Sequence, residues 1–472
     1  MATATAELRS ANVSSSIPVY NPYNGELIGS VRQTDQATVA RTIERMAAGA
    51  PRLSRGERSD VLRRMADAIR ADADGFAQLI TSESGLSLKD THHEVMRSID
   101  VLNLAAAAAN FDDSAVYPGT VGANGKPRRI FTQRESIGLV AAITPFNHPL
   151  NQVIHKIAPA IATGTPIIVK PSEKTPLTAL RLAELCRGLG IPEDLLAIVT
   201  GIPSEIARVF CEHDDVKLVN FTGSSTVGKN LMRRAGHRRT VLELGGNDPL
   251  IVMQDADVEM AAALATAGAY GNSGQRCTAV KRILLQREIA DDFVAALARR
   301  TAKLVYGDPC DKATDVGTVI DDTAAVRIEA RVKRALSEGA QVIHGGSREG
   351  ALVQPTVVDN VPSQSELVRE ETFGPIAPII RFDTIDEAIA IANSTNYGLS
   401  SGVCTDRLDW VTRFISELRV GSVNVWEVPG YRSELSPFGG IKDSGLGQKE
   451  GVAEAMKLYT TIKTYSLPWP NA

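Results

Sequence analysis

Between residues 137 and 221 the chain alternates short, almost wholly apolar runs with longer runs whose apolar residues recur every three to four positions. The apolar runs fall at 138–143, 166–169, 196–200 and 216–221, and the stretches 149–162, 177–189 and 204–211 between them read as helices. Strands this short and this apolar are buried on both faces, and their alternation with helices predicts a parallel sheet covered on both sides. Such a doubly wound sheet takes its ligands at the C-terminal ends of its strands. Upstream, 18–32 reads as a short hairpin through an Asn24-Gly25 turn. From 35 to about 104 the pattern is helical, with Val61, Leu62, Met65, Ala68 and Ile69 repeating near a period of 3.6. At 113–136 it breaks: Pro118-Gly119 and Gly122-Ala123-Asn124-Gly125 are turn chemistry, and 128–134 alternates, which predicts a projecting hairpin. A second α/β section follows from 249, with helices at 256–269, 290–305, 324–337, 385–392 and 408–418 and strands at 282–286, 352–358 and 376–382. The tail at 460–466 alternates as a strand with no evident partner in its own domain, so the edge of a neighbouring subunit is its expected partner.

A chain of 472 residues is expected to form two or three domains. With 43% hydrophobic and 22% charged residues it has the composition of a soluble globular enzyme, and a net charge of −4 argues against a general nucleic-acid binder. No apolar run reaches the roughly 18 residues of a membrane span, and residues 1–17 lack the apolar core of a secretory leader. The five cysteines, at 186, 211, 277, 310 and 404, are dispersed, with no CxxC pair and no Cys/His cluster, which fits the cytoplasm and no metal site. His92-His93 lacks a third ligand and reads as a solvated helix face.

The candidate chemistry centres on Asn272-Ser273-Gly274-Gln275-Arg276-Cys277-Thr278. A cysteine ending a small-residue loop can meet a substrate, and Arg276 beside it could help hold the thiolate. The alternative is a buried, inert thiol. After the first apolar strand, Thr144-Pro145-Phe146-Asn147-His148-Pro149 places an amide donor, Asn147, where it can face a cleft or simply cap a helix, with Pro149 as an early helical residue. Lys170 and Glu173 close the second strand; the lysine suits hydroxyls or phosphate and the glutamate a ribose, unless both are surface charges. Gly223-Ser224 opens a helix whose N–H groups favour a pyrophosphate, although the spacing is not GxGxxG. Glu243, between Leu242 and Leu244, sits where an apolar setting would raise its pKa and make it a base near neutral pH.

Taken together and in order, these motifs, with Glu371-Thr372-Phe373, resemble the aldehyde dehydrogenase superfamily over nearly the whole chain. The runs at 145–152, 272–282, 425–432 and 464–469 resemble in particular the phosphonoacetaldehyde dehydrogenase subfamily. The resemblance implies a doubly wound NAD-binding domain (1–112 and 137–248), an α/β catalytic domain (249–446) and an oligomerisation element (113–136 and 447–472). It implies Cys277 as nucleophile, Glu243 as base and Asn147 as oxyanion donor. Thr144, Lys170, Glu173, Gly223, Ser224, Glu371 and Phe373 would hold NAD, preferred over NADP. Arg97, His148 and Arg276 would bind a phosphonate, although Arg97 alone reads equally as a surface helix charge and His148 as a helix-start packing residue. The implied partner is a small anionic aldehyde, and the implied assembly a homodimer or homotetramer whose hairpin pairs with the tail strand of another subunit. Lactaldehyde, succinate semialdehyde and glyceraldehyde 3-phosphate are the competing substrates.

Overall fold

The structure is a computed structural model that describes residues 16–49 and 53–470. The leader reading of residues 1–17 therefore falls, up to residue 15, outside the described residues. The first α/β unit is built on five parallel strands in the order Leu196–Ile198, Ile167–Lys170, Leu139–Ile143, Val216–Thr222, Arg239–Glu243. The two central strands have side chains of alternate residues on opposite faces. Val140, Ala142, Ile167 and Val169 pack against helices Arg55–Ala71, Leu88–Ala109 and Asn151–Thr163. Leu139, Ala141, Ile143 and Ile168 pack against Gln36–Gly49 and Pro203–Glu212. Two buried faces explain the unbroken apolar runs Leu139–Ile143 and 167–169.

The second unit has seven strands in the order Gln341–His344, Thr356–Asp359, Ile376–Phe382, Arg282–Gln286, Pro249–Val252, Ser400–Cys404, Ser422–Val425. All neighbours are parallel except the first pair. No helix among the described residues is long and apolar enough to cross a membrane.

Two expectations are corrected. The tail strand, Thr460–Pro468, pairs antiparallel with Arg128–Ser136 of its own chain, from Thr460 opposite Ser136 to Pro468 opposite Arg128. On its other side Arg128–Ser136 carries only the three-residue strand Val116–Pro118, so a long edge was open. Helix Val452–Leu458 packs on Asn151–Thr163 and delivers the tail to that edge. Period-two alternation identifies a strand but not whose edge it joins. The second correction is the helix after Asn147, which begins at Asn151 rather than Pro149. Its first amides are capped from a distant helix: Glu94 Oε1 accepts from the N–H of Leu150 (2.8 Å) and of Asn151 (2.9 Å).

Candidate active site

Glu243 ends the last strand of the first sheet, and Cys277 lies in the loop between Gly271–Gly274 and the strand Arg282–Gln286 of the second. The approach to Cys277 is a strained backbone. Asn272 (φ 59°), Ser273 (φ 52°) and Gly274 (φ 69°) are all left-handed, a conformation that costs about 1–3 kcal/mol for a non-glycine residue. The strain is held by hydrogen bonds. Asn272 Nδ2 donates to the Asn147 carbonyl (3.0 Å), and Gln275 Oε1 accepts from the Ile320 N–H (3.0 Å). Gly274 tolerates no side chain, because a Cβ there would lie 2.2 Å from the Gly374 carbonyl oxygen. Asn147 is buried and donates through Nδ2 to the Gln275 carbonyl at 2.8 Å, so the amide and the cysteine loop fix each other.

Burial pushes the Cys277 thiol up to about 11, with Asp248 and Glu371 adding to the shift and Lys281, then Arg432, opposing it. Arg276 directs Nη2 to the carbonyls of Ala267 (3.2 Å) and Gly268 (3.0 Å), so the cation acting most on the thiol is Lys281 rather than the neighbouring arginine. Glu243 is buried, and burial followed by the nearby Glu450 drives its carboxyl well above the ordinary range, against Lys156, Arg432 and Lys449. Its Oε2 has no hydrogen-bond partner among the described residues.

Arg97, His148 and Arg276 share one electrostatic neighbourhood. All three act electrostatically on His93, and Arg276 in turn feels both Arg97 and Cys277. His148 presents Nδ1 to Glu94 Oε2 at 3.5 Å. Arg97 gives only its Nε to Glu434 (2.7 Å), and neither of its Nη groups has a hydrogen-bond partner among the described residues. Glu434 also faces His155 Nε2 (3.0 Å) and Arg432 (3.8 Å). Burial works against its charge, but His155, Arg432 and Arg97 outweigh that and hold the carboxyl well below its ordinary range. Arg432, stacked over Phe438 at 4.1 Å, feels Cys277 as well. The sequence reading missed Lys281, Arg432, Glu94 and Glu434. The first two lie inside the runs 272–282 and 425–432, where only Lys281, close in sequence to the candidate nucleophile, carried a usable signal; the two glutamates carried none.

The C-terminal ends of three adjacent strands bring Thr144, Lys170, Glu173, Gly223 and Ser224 to one edge of the first sheet. Lys170 is buried and pairs with Glu173 Oε2 at 3.0 Å. Burial opposes the charge of Glu173, but Lys170, a backbone N–H and Lys174 together outweigh it and keep the carboxyl below its ordinary value. Ser224 caps helix Ser225–Ala235, and the buried hydroxyls of Thr144 and Thr222 have no partner among the described residues. Across the cleft, Glu371 Oε1 accepts from the Gly246 N–H (3.1 Å), and Phe373 meets Phe146 edge-on at 5.9 Å. Glu371 and Phe373 also wall a cavity of about 350 Å³ that Arg327, Arg331 and Arg334 line. Ribose-matching carboxylates, unpaired hydroxyls, a helix N-terminus and arginines suit a dinucleotide with its pyrophosphate.

The model of the aldehyde dehydrogenase family matches residues 9–465. A 3-sulfolactaldehyde dehydrogenase of Priestia aryabhattai is 39% identical over 404 residues, covering 86% of this chain and 84% of that one. A sulfoacetaldehyde dehydrogenase of Neptuniibacter caesariensis is 35% identical, covering 96% of this chain and 99% of that one. The solved glyceraldehyde-3-phosphate dehydrogenase of Methanocaldococcus jannaschii, complexed with NADP, superposes with a TM-score of 0.92 at 35% identity, over 96% of this chain and 99% of that one.

Proposed function

Since the chain belongs to the aldehyde dehydrogenase family, we propose that it oxidises phosphonoacetaldehyde to phosphonoacetate with NAD. The observation carrying the substrate is the set of basic side chains beside Cys277: Arg97 with its Nη groups open, Arg276, and His148 with its ring facing Glu94. Arg432, in electrostatic reach of Cys277, extends it. A phosphonate on the carbon next to the carbonyl would lie against these groups while the carbonyl meets the thiol.

In this reading the Cys277 thiolate adds to the aldehyde carbon. The resulting oxyanion is held by the second N–H of the Asn147 amide and by the Cys277 backbone N–H, each donor being worth about two to three orders of magnitude in rate. Bound NAD supplies the oxidant by accepting the hydride from that carbon. Glu243 then takes a proton from a water that attacks the thioester, and the acid leaves as the Cys277 thiolate is restored. Lys170 and Glu173 hold the adenosine ribose, Thr144, Gly223 and Ser224 the pyrophosphate side, and Glu371 with Phe373 the nicotinamide end.

Arg97→Ala tests the substrate. A charge-assisted hydrogen bond to an anion is worth roughly 1.5–3 kcal/mol, so kcat/KM for phosphonoacetaldehyde should fall by about one to two orders of magnitude. Propanal, which has no anion, should lose much less. Equal losses on both would assign Arg97 to the fold alone. The names of the relatives favour a second reading, a sulfonated aldehyde such as sulfoacetaldehyde. A phosphonate carries up to one more negative charge than a sulfonate near neutral pH, and the arginines favour the more highly charged group. A higher wild-type kcat/KM for sulfoacetaldehyde than for phosphonoacetaldehyde would select the second reading.

The preference for NAD rests on Glu173, which would repel a 2′-phosphate. Lys174, the neighbour able to offset that repulsion, is tied to Asp321 at 3.1 Å. We expect kcat/KM with NAD to exceed that with NADP by about tenfold or more, equivalent to about 1.4 kcal/mol. An advantage for NADP would remove the role given to Glu173. We also assign the first sheet's unit (1–112 and 137–248) to the cofactor, the second (249–446) to catalysis, and the three-stranded sheet (113–136 with 447–472) to assembly as a homodimer or homotetramer. Supporting the last is the exposure of Val116, Tyr117, Ile462, Tyr465 and Leu467 on that sheet.

A further inference from the structure

Lys281 is a buried cation that the reaction sketched above does not use. Its side chain is 2% exposed. Its ammonium donates to the carbonyl oxygen of Cys277 at 2.6 Å, pairs with Glu371 Oε1 at 3.1 Å and lies 5.6 Å from the centre of the Phe373 ring. The same Glu371 oxygen accepts the Gly246 N–H. Gly246 is pressed against the nucleophile's backbone: a Cβ there would lie 2.4 Å from the Cys277 carbonyl oxygen. The lysine's own N–H is bonded to the Asp248 carbonyl at 3.1 Å. One ammonium thus links three segments that are distant in sequence: the loop of Cys277, the turn after Glu243, and Glu371.

Taking an ion pair out of water costs several kcal/mol per ion, and an apolar pair of equal volume is often at least as stable. Stability alone therefore does not account for an ammonium at this place, whereas fixing a peptide and supplying positive charge beside a thiol both require it. We propose that Lys281 is a positioning residue for the nucleophile, anchoring the Cys277 backbone through its carbonyl and supplying the field that favours the thiolate. The proposal rests on the reading of Cys277 as nucleophile. Of the charged groups facing the thiol, Asp248 and Glu371 oppose the thiolate, while Arg432 and Arg276 act with Lys281. Among the groups that favour the thiolate Lys281 is the foremost, so its removal should be felt most.

The test is the pH dependence of Cys277 alkylation by iodoacetamide in the full-length protein, followed on the Cys277 peptide by mass spectrometry. In Lys281→Met the profile should move to higher pH by about one unit, so alkylation at a fixed pH below the midpoint slows about tenfold. Lys281→Arg should stay close to wild type, because the charge is kept. Lys281→Gln keeps a donor for the Cys277 carbonyl but no charge, and it should show the upward move with a smaller loss of kcat than the methionine variant; it carries the test if the methionine variant does not fold. Profiles identical to wild type in the uncharged variants would overturn the proposal. Failure of the underlying reading shows itself separately, as turnover that survives Cys277→Ala.

Discussion

Replacing Cys277 by alanine should abolish NADH formation while NAD binding is retained. Loss of a nucleophile that acts with its partners as a unit costs on the order of six orders of magnitude in kcat. No other cysteine can take over. Cys186, Cys211 and Cys404 are buried in the cores, out of a substrate's reach, whereas Cys277 is partly exposed. Cys310 is exposed and lies in a loop of Asp308, Asp311 and Thr314, none of them a residue of the candidate site. Binding should survive because Lys170 and Glu173 pair with each other on the first sheet and make no contact with the thiol. Absorbance of NADH and a titration of NAD binding check the two halves separately. Appreciable turnover in the alanine variant would remove the thioester route.

Glu243→Gln should leave the first turnover intact and stall the second. Pre-steady-state NADH should appear as a burst of about one equivalent per active site, followed by a steady rate lower by about two to four orders of magnitude, the usual contribution of a general base. The pH dependence has a definite sign. Burial and Glu450 raise the Glu243 carboxyl well above its ordinary range, and only the deprotonated form can accept a proton from water. When deacylation limits the wild type, its steady rate should therefore climb as pH rises through that elevated pKa, and the glutamine variant should lose this limb. A variant without a burst would place Glu243 before the thioester rather than after it.

Much of this arrangement was legible because it depends on local pattern. The strands at 139–143 and 167–170 declare themselves by unbroken apolar runs, Leu139 to Ile143 and Ile167 to Val169, a consequence of two buried faces. Other central strands do not. Ser400–Cys404 is fully buried between two parallel neighbours, yet it reads Ser-Ser-Gly-Val-Cys, and Gly402 is required because a Cβ would lie 2.5 Å from the Glu427 carbonyl oxygen. Tight packing selects small residues there, and small residues carry no strand signal. The candidate nucleophile and base were visible because each sits in a short motif, Glu243 at the end of a strand and Cys277 in the loop before one. Glu434 was not: it meets Arg97 across 337 positions of sequence, and only the folded chain makes that pair. The tail strand failed for a related reason, since its alternation was clear and its partner, in the same chain, was not.

The most direct measurement is the mass of the enzyme caught in the act. Glu243→Gln, mixed with NAD and phosphonoacetaldehyde and quenched in acid during the burst, should carry one phosphonoacetyl group, and peptide mapping should place it on the segment containing Cys277. A burst of NADH with no acyl group on that peptide, or an acyl group on the exposed Cys310 instead, would contradict the assignment.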